Sequence, residues 1–224
     1  MAKKVTMFKN SKGIRVPSVT TICGQLDKPG LMYWAHKLGL EGVSDLRAHR
    51  DAIGQAGNLA HELALPFLSG VEIGDTLKTL QSVYTPEELA LAAPIMNRFT
   101  AWAKGHEFQT DFEEESFISE RHQFGGRIDW FGIMDGVPTL LDLKFTKALY
   151  PESTYQMSAY LHLLKEHGID VHRTKIFRFG RTEEEGFEEP ELPEDVLETG
   201  WNVFLRLREI YDLAKTLPKT GKAA

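Results

Sequence analysis

Two apolar runs, Arg127-Ile128-Asp129-Trp130-Phe131-Gly132-Ile133 and Thr139-Leu140-Leu141-Asp142-Leu143-Lys144-Phe145, flank the pair Asp135-Gly136. Asp-Gly between two such runs is a strong β-hairpin signal, because a two-residue hairpin turn needs positive φ at its centre. Nothing else in the chain constrains the fold as much. The two runs must pair antiparallel, and the pairing brings Asp129 and Asp142 to neighbouring strand positions. Strand alternation then puts Asp142 and Lys144 on one face, with Leu143 behind them. The ordinary reading of Asp-x-Lys on a strand is an ion pair facing water. Here both strands are apolar on either side of their charges, as buried strands are, and a charge there is costly unless it has a partner or a task. Two carboxylates beside one ammonium are suited to collecting a divalent cation and holding a water against a phosphate.

Turn and periodicity signals place the other elements. Val5–Phe8 and Ile14–Val16 flank Asn10-Ser11-Lys12-Gly13 and read as an N-terminal hairpin. Ser18 caps a short helix, and Lys28-Pro29-Gly30 turns the chain into a second helix holding Trp34 and Leu38. A long helix is expected over 44–68, with Leu59, Leu63 and Phe67 at helical spacing. Thr85-Pro86-Glu87-Glu88 is a capping box opening a helix to about Lys104, which Pro94 is expected to bend. Strands follow near 113–121, 127–134 and 139–145, then a helix from Ser153 to His167 ended by Gly168, then a strand over 175–179. A last helix spans Glu194 to Leu217, and its stripe of Val203, Leu207, Ile210, Ala214 and Leu217 is expected to pack on the rest of the chain. The pattern predicts an α+β fold with a mixed sheet.

Composition narrows the class. With 224 residues, 42% hydrophobic and 26% charged, the chain suits one compact domain. No apolar run approaches the ~18 residues of a membrane span, and the N-terminus lacks a signal-peptide core. The expectation is a soluble intracellular, cytoplasmic protein. A single cysteine, Cys23, leaves no internal disulfide and no Cys-ligated iron–sulfur cluster. Net charge is −6 but uneven. Lys3, Lys4, Lys9, Lys12 and Arg15 precede the first acid, Asp27, whereas residues 182–198 hold nine acids and no Lys or Arg. The basic end is either a phosphate-binding surface or a solvated tail; the acidic stretch reads as a solvated loop.

The motif series has a family likeness. Gly126-x-x-Asp129, then Asp142-x-Lys144, then Gln156-x-x-x-Tyr160 resembles the PD-(D/E)XK nuclease superfamily. With Gly57-Asn58-Leu59-Ala60-His61-Glu62 upstream, the RecB-type exonuclease branch fits best. Pro17-Ser18-Val19-Thr20-Thr21-Ile22 and Lys28-Pro29-Gly30-Leu31 with Trp34 resemble the opening of phage exonucleases and of the mitochondrial genome maintenance exonuclease. The likeness spans about residues 14–165. It implies a restriction-endonuclease-like βββαβ core over 106–180 within a single nuclease domain of 1–224. A mainly helical half, 14–105, would admit the substrate, and 181–224 would hold the acidic loop and C-terminal helix.

The resemblance also implies roles. Asp129 and Asp142 would bind Mg²⁺ or Mn²⁺, with the Leu143 backbone carbonyl and His61 as further ligands. An acid before the Gly-x-x-Asp strand would support the metal; of Glu113, Glu114 and Glu115, family register favours Glu115. Lys144 would orient the attacking water or offset charge on the phosphorane, although a salt bridge to either aspartate is equally compatible. Gln156 and Tyr160, one helical turn apart, share a face and would hold phosphate or the Lys144 ammonium; alternatively Tyr160 belongs to the core. His61 by itself reads as an ordinary helix histidine. Arg127 and Lys147 would contact the DNA backbone. Ser18 and Thr20 would donate to phosphate, or Ser18 merely caps its helix. Trp34 or Tyr33 would stack on bases. The function implied is a DNA exonuclease of replication, recombination or phage DNA metabolism. The alternatives are a structure- or sequence-selective endonuclease and a catalytically silent nucleic-acid-binding subunit.

Overall fold

A computed structural model describes residues 7–26, 29–180 and 182–217. A small hairpin, β1 (Phe8–Lys9) and β2 (Arg15–Val16), leads into α1 (Val19–Cys23), α2 (Pro29–Leu40), α3 (Leu46–Leu68), α4 (Ile73–Leu80) and α5 (Pro86–Ala103). There follow β3 (Phe108–Ser119), β4 (Phe124–Met134), β5 (Val137–Lys144), α6 (Pro151–Glu166), β6 (Arg173–Phe179), β7 (Phe187–Glu188) and α7 (Glu194–Thr216). The main sheet has the order β3-β4-β5-β6-β7. Its β5–β6 pair is parallel and its other pairs are antiparallel. This is an α+β fold with a mixed sheet, and it contains the expected run of three strands, a helix and a fourth strand.

The hairpin forms for the reason its sequence suggests. Asp135 and Gly136 take φ of 51° and 77°, and Met134 pairs with Val137 across the turn. Side chains on the two faces of the sheet divide the core. Ile128, Phe131, Leu140 and Ile176 pack with α1, α6 and α7, while Trp130, Met134, Leu141, Leu143 and Phe177 pack with α3 and α5. Alternation holds along β5 but is interrupted on β4 between Ile128 and Trp130, around Asp129. β5 is therefore covered on both faces, which is why its run is apolar throughout.

Several boundaries differ from expectation. Pro29 is the first residue of α2 rather than the middle of a turn, as suits a proline at a helix start. Lys28 and Asp27 lie outside the described residues, as do Val5 and Thr6 of the expected first strand and the basic Lys3 and Lys4. The Thr85 capping box is present, and Pro94 lies inside α5. α4 has no side-chain cap and no proline at its start, only Asp75 in its first turn, and so is weakly marked in the sequence. β3 begins at Phe108, five residues before the expected start, and has a register irregularity between Thr110 and Phe112. The acidic stretch is not wholly loop, since β7 lies within it. The α7 stripe packs in part: Leu207 is buried, but Ile210 and Leu217 are 51% and 69% exposed and Ala214 is exposed. Apolar spacing shows which side of a helix is greasy, not how far its neighbours extend.

Candidate active site

β4 and β5 pair from the turn as far as Trp130↔Leu141. The next positions in that register are Asp129 and Asp142, and there the strands part. β5 continues against β6 to Lys144↔Arg178, and β4 continues against β3. The edge of β4 freed by this parting is taken further down by the N-terminal segment, where Gly125 N–H donates to the Pro17 carbonyl at 2.9 Å. At the fork itself, the Leu143 N–H donates to Asp129 Oδ2 at 3.1 Å, so a carboxylate stands where a ladder carbonyl would otherwise be. The two acids thus hold opposite register positions where the β4–β5 ladder ends, close enough that the charge of Asp129 is felt at Asp142.

α6 closes one side of the split. Pro151 starts the helix, and helical spacing aligns Gln156 with Tyr160. Gln156 Nε2 donates to Asp142 Oδ1 at 3.1 Å and to the Tyr160 hydroxyl at 2.9 Å, while Oε1 accepts from Lys144 Nζ at 3.2 Å. These bonds dictate which way the amide points. Lys144 Nζ lies 2.6 Å from Asp142 Oδ2, which is buried and accepts no directed hydrogen bond among the described residues. From the other side, α3 presents His61, whose Nδ1 is 3.7 Å from Asp129 Oδ2 and whose ring meets Phe145 edge-on at 5.0 Å. Gly57, one turn earlier, is not needed for clearance there: a Cβ would lie at an ordinary 3.8 Å from the Phe145 carbonyl.

Burial and charge compete at each group. Burial pushes the Asp142 carboxyl up to about 6, with the Asp129 charge adding to the rise and the Lys144 ammonium opposing it. Burial also raises Asp129, against the pull of Lys144 and of the Leu143 N–H. For Lys144, burial acts downward, but the Asp142 and Asp129 carboxylates outweigh it and hold the ammonium above the ordinary lysine value. Burial and the two aspartates push Tyr160 well above the usual phenol range. Near neutral pH, then, Lys144 is a cation and Tyr160 a neutral phenol.

The structure brings Asp129, Asp142, Leu143, Lys144, Gln156, Tyr160 and His61 together, and Tyr160 is also a core residue, buried in the α6 cluster. Glu115 is not among them. It pairs with Ile128 and is exposed, whereas Glu114 stands opposite Asp129 in the β3–β4 register. Glu114 holds φ at 50°, pairs with Arg127 at 2.8 Å, and its charge helps to raise Asp129. A non-glycine residue held at positive φ within a strand stores local strain. Glu113 instead accepts from Ser69 Oγ at 2.6 Å. Arg127 is thus already paired. Lys147 is exposed in the segment after β5. Ser18 caps α1 by accepting from the Thr21 N–H, and Thr20 beside it is exposed. Trp34 is half-buried, its ring 6.1 Å from that of His49, while Tyr33 is 73% exposed.

A further charged residue of this neighbourhood belongs to none of the motifs above. Arg178, 2% exposed on β6, donates to the Thr146 and Lys147 carbonyls at 3.3 and 3.1 Å and pairs with Glu188 at 3.0 Å. It clamps the segment leaving Lys144. A charge inside the apolar run Ile176-Phe177-Arg178-Phe179 is the same signal that marked Asp142.

Asp129 and Asp142 offer hard oxygen donors, of the kind taken by a cation that binds one or two carboxylates and keeps its waters, although Asp142 Oδ2 is already met by the Lys144 ammonium. Among the described residues, no group of three or more His, Cys, Asp or Glu side chains is arranged to hold a metal ion. No helix among the described residues is long and apolar enough to cross a membrane.

No protein-family model matches the chain, and no curated protein matches its sequence. Among solved structures, it is similar to a protein of Eubacterium rectale named "Putative exonuclease", at 11% identity and a TM-score of 0.49, over 75% of this chain and 77% of that one. A likeness at this level carries no argument about chemistry.

Proposed function

We propose that this chain is a metal-dependent DNA nuclease that acts as an exonuclease on single-stranded DNA or DNA with free ends. The observation that carries the reading is the pair Asp129 and Asp142 at opposite register positions where β4 and β5 part, with the Lys144 ammonium and the Gln156 amide bound to Asp142. The motif resemblance to RecB-type exonucleases supports the same reading. Asp129 and Asp142 would hold Mg²⁺ or Mn²⁺, which when bound supplies Lewis-acid polarisation of the phosphate and an acidified water. Lys144 would direct positive charge at the oxygens that gain negative charge as the phosphodiester is cleaved. Gln156 keeps that ammonium and the Asp142 carboxylate in register, and the neutral Tyr160 phenol anchors Gln156. Glu114, rather than Glu115, would take the supporting role beside Asp129. His61 would face the same cation. Arg127, Lys147, Ser18 and Thr20 would meet the DNA backbone, and Tyr33 or Trp34 would stack on bases.

The test is digestion of end-labelled linear single- and double-stranded DNA, and of covalently closed circles, with Mg²⁺, with Mn²⁺ and with EDTA. The expected result is metal-dependent loss of linear DNA from its ends with circles intact. Full cleavage in EDTA refutes the metal requirement, and nicking of closed circles moves the reading to an endonuclease. Binding without cleavage in Mn²⁺ makes the chain a silent subunit.

A further inference from the structure

Gly125 and Gly126, successive residues of β4, each meet a ring. A side chain at Gly125 would overlap the Phe8 ring of the N-terminal hairpin. A Cβ at Gly126 would lie 2.7 Å from Leu163 Cδ1 and 2.8 and 3.0 Å from Cε1 and Cδ1 of Tyr160. Adjacent strand residues point to opposite faces, so this stretch of β4 is gripped between Phe8 and Tyr160. Neither glycine is among those at positive φ, so backbone conformation does not require them. Space does.

We propose that Gly126 is a positioning residue of the site. The missing side chain lets the Tyr160 ring seat against the strand backbone. At that depth the Tyr160 hydroxyl accepts from Gln156 Nε2 at 2.9 Å, and the same amide reaches Asp142 Oδ1 at 3.1 Å and Lys144 Nζ at 3.2 Å. A methyl at Gly126 displaces the ring, the ring releases the amide, and the amide no longer orients the carboxylate and the ammonium. Phe8 braces the strand from behind, so the backbone cannot retreat to make room. The kinetic consequence rests on the nuclease reading above; the geometric one does not.

The experiment compares Gly126→Ala in the wild type and in a Gln156→Ala background, with two readouts. The first is steady-state cleavage of end-labelled DNA in Mn²⁺. The expected result is a roughly ten- to hundredfold lower kcat in the wild-type background with little change in KM, as for a small misplacement of a catalytic group. In the Gln156→Ala background the further loss should be small, because both substitutions break one relay. The second readout is the side-chain amide NMR signal of Gln156, identified by its disappearance in Gln156→Ala, which Gly126→Ala should shift toward solvent-like values. Where the single variant does not fold, Gly126→Ala/Leu163→Ala removes the aliphatic contact and leaves the ring as the obstacle. An equal loss of kcat in both backgrounds, or an unmoved Gln156 signal, overturns the proposal. If the wild type cleaves no DNA, the nuclease reading fails, and the amide signal still decides whether Gly126 sets the relay.

Discussion

Asp142→Asn should stabilise the protein while abolishing its activity. The Asp142 carboxyl is raised by burial from 3.8 to about 6, so the folded state holds a proton that the unfolded chain has already released. Between about pH 4 and pH 6 the folded state therefore binds more protons, and stability falls as pH rises through that window. Above it the full penalty remains: a shift of about two units, at ~1.4 kcal/mol each, is ~3 kcal/mol. An amide removes the ionisation but keeps a single acceptor for the Gln156 amide and the Lys144 ammonium, and losing one hydrogen bond returns ~1 kcal/mol. The net gain is ~2 kcal/mol above pH 7, or ~4–8 °C in melting temperature for a chain of this size. The assay is thermal unfolding of both proteins in EDTA at several pH values between 4 and 8. The variant should match the wild type or fall slightly below it at pH 4, and the gap should open in its favour toward pH 7. Added Mg²⁺ should raise the melting temperature of the wild type and not of the variant. A variant less stable than the wild type at pH 8, or a gain independent of pH, would refute the reasoning that Asp142 is an ionised carboxylate kept in the fold for a task.

Other outcomes follow from the same geometry. His61→Ala should lower cleavage far more than it lowers melting temperature, with partial rescue by extra Mn²⁺; normal activity would remove His61 from the site. Glu114→Gln should reduce activity by roughly tenfold, as for groups that support a metal ligand, whereas Glu115→Gln should leave it nearly unchanged; the reverse ranking would return the role to Glu115. Lys9, Lys12 and Arg15 are exposed on or beside the hairpin that docks at Gly125, four residues and roughly 13 Å along the strand from Asp129. Reversing their charge should weaken single-strand binding and flatten its salt dependence, measured with Ca²⁺ to prevent turnover, while reversal over Glu183–Glu191 should leave binding unchanged or slightly tighter; an unaltered slope in the basic-end variant would show a merely solvated surface.

Much of the candidate site's arrangement is legible in the sequence, because its residues violate local expectation. Asp129, Asp142 and Lys144 stand in runs that should be wholly apolar, and a hairpin turn between them leaves one way to pair. Gln156 and Tyr160 needed only helical spacing to share a face. Glu114 could not be told from its neighbours, because simple alternation assigns Glu113 and Glu115 to one face and the backbone departs from alternation at Glu114, with φ at 50°. Arg178 carried the same signal as Asp142, but its sequence neighbours Lys175 and Arg181 are of like charge, so no pair of opposite charges marked it.

The chain itself determined its elements and their caps: the Asp135-Gly136 turn, the Thr85 capping box, the Ser18 cap, and the mixed sheet implied by strands on either side of a helix. These are short-range consequences of φ preferences, orphan backbone groups and side-chain periodicity. Tertiary structure decided where pairing stops. That β4 and β5 part at Asp129 and Asp142, that the Asp129 carboxylate takes the Leu143 N–H, and that Tyr160 seats on Gly126 depend on contacts between segments far apart in sequence. The same holds for α7, where the spacing of Val203, Leu207, Ile210, Ala214 and Leu217 is uniform but cover is not: Leu207 is buried and Ile210 is 51% exposed. Periodicity is a property of one segment, whereas burial and the release of a strand edge belong to the whole packed assembly of elements.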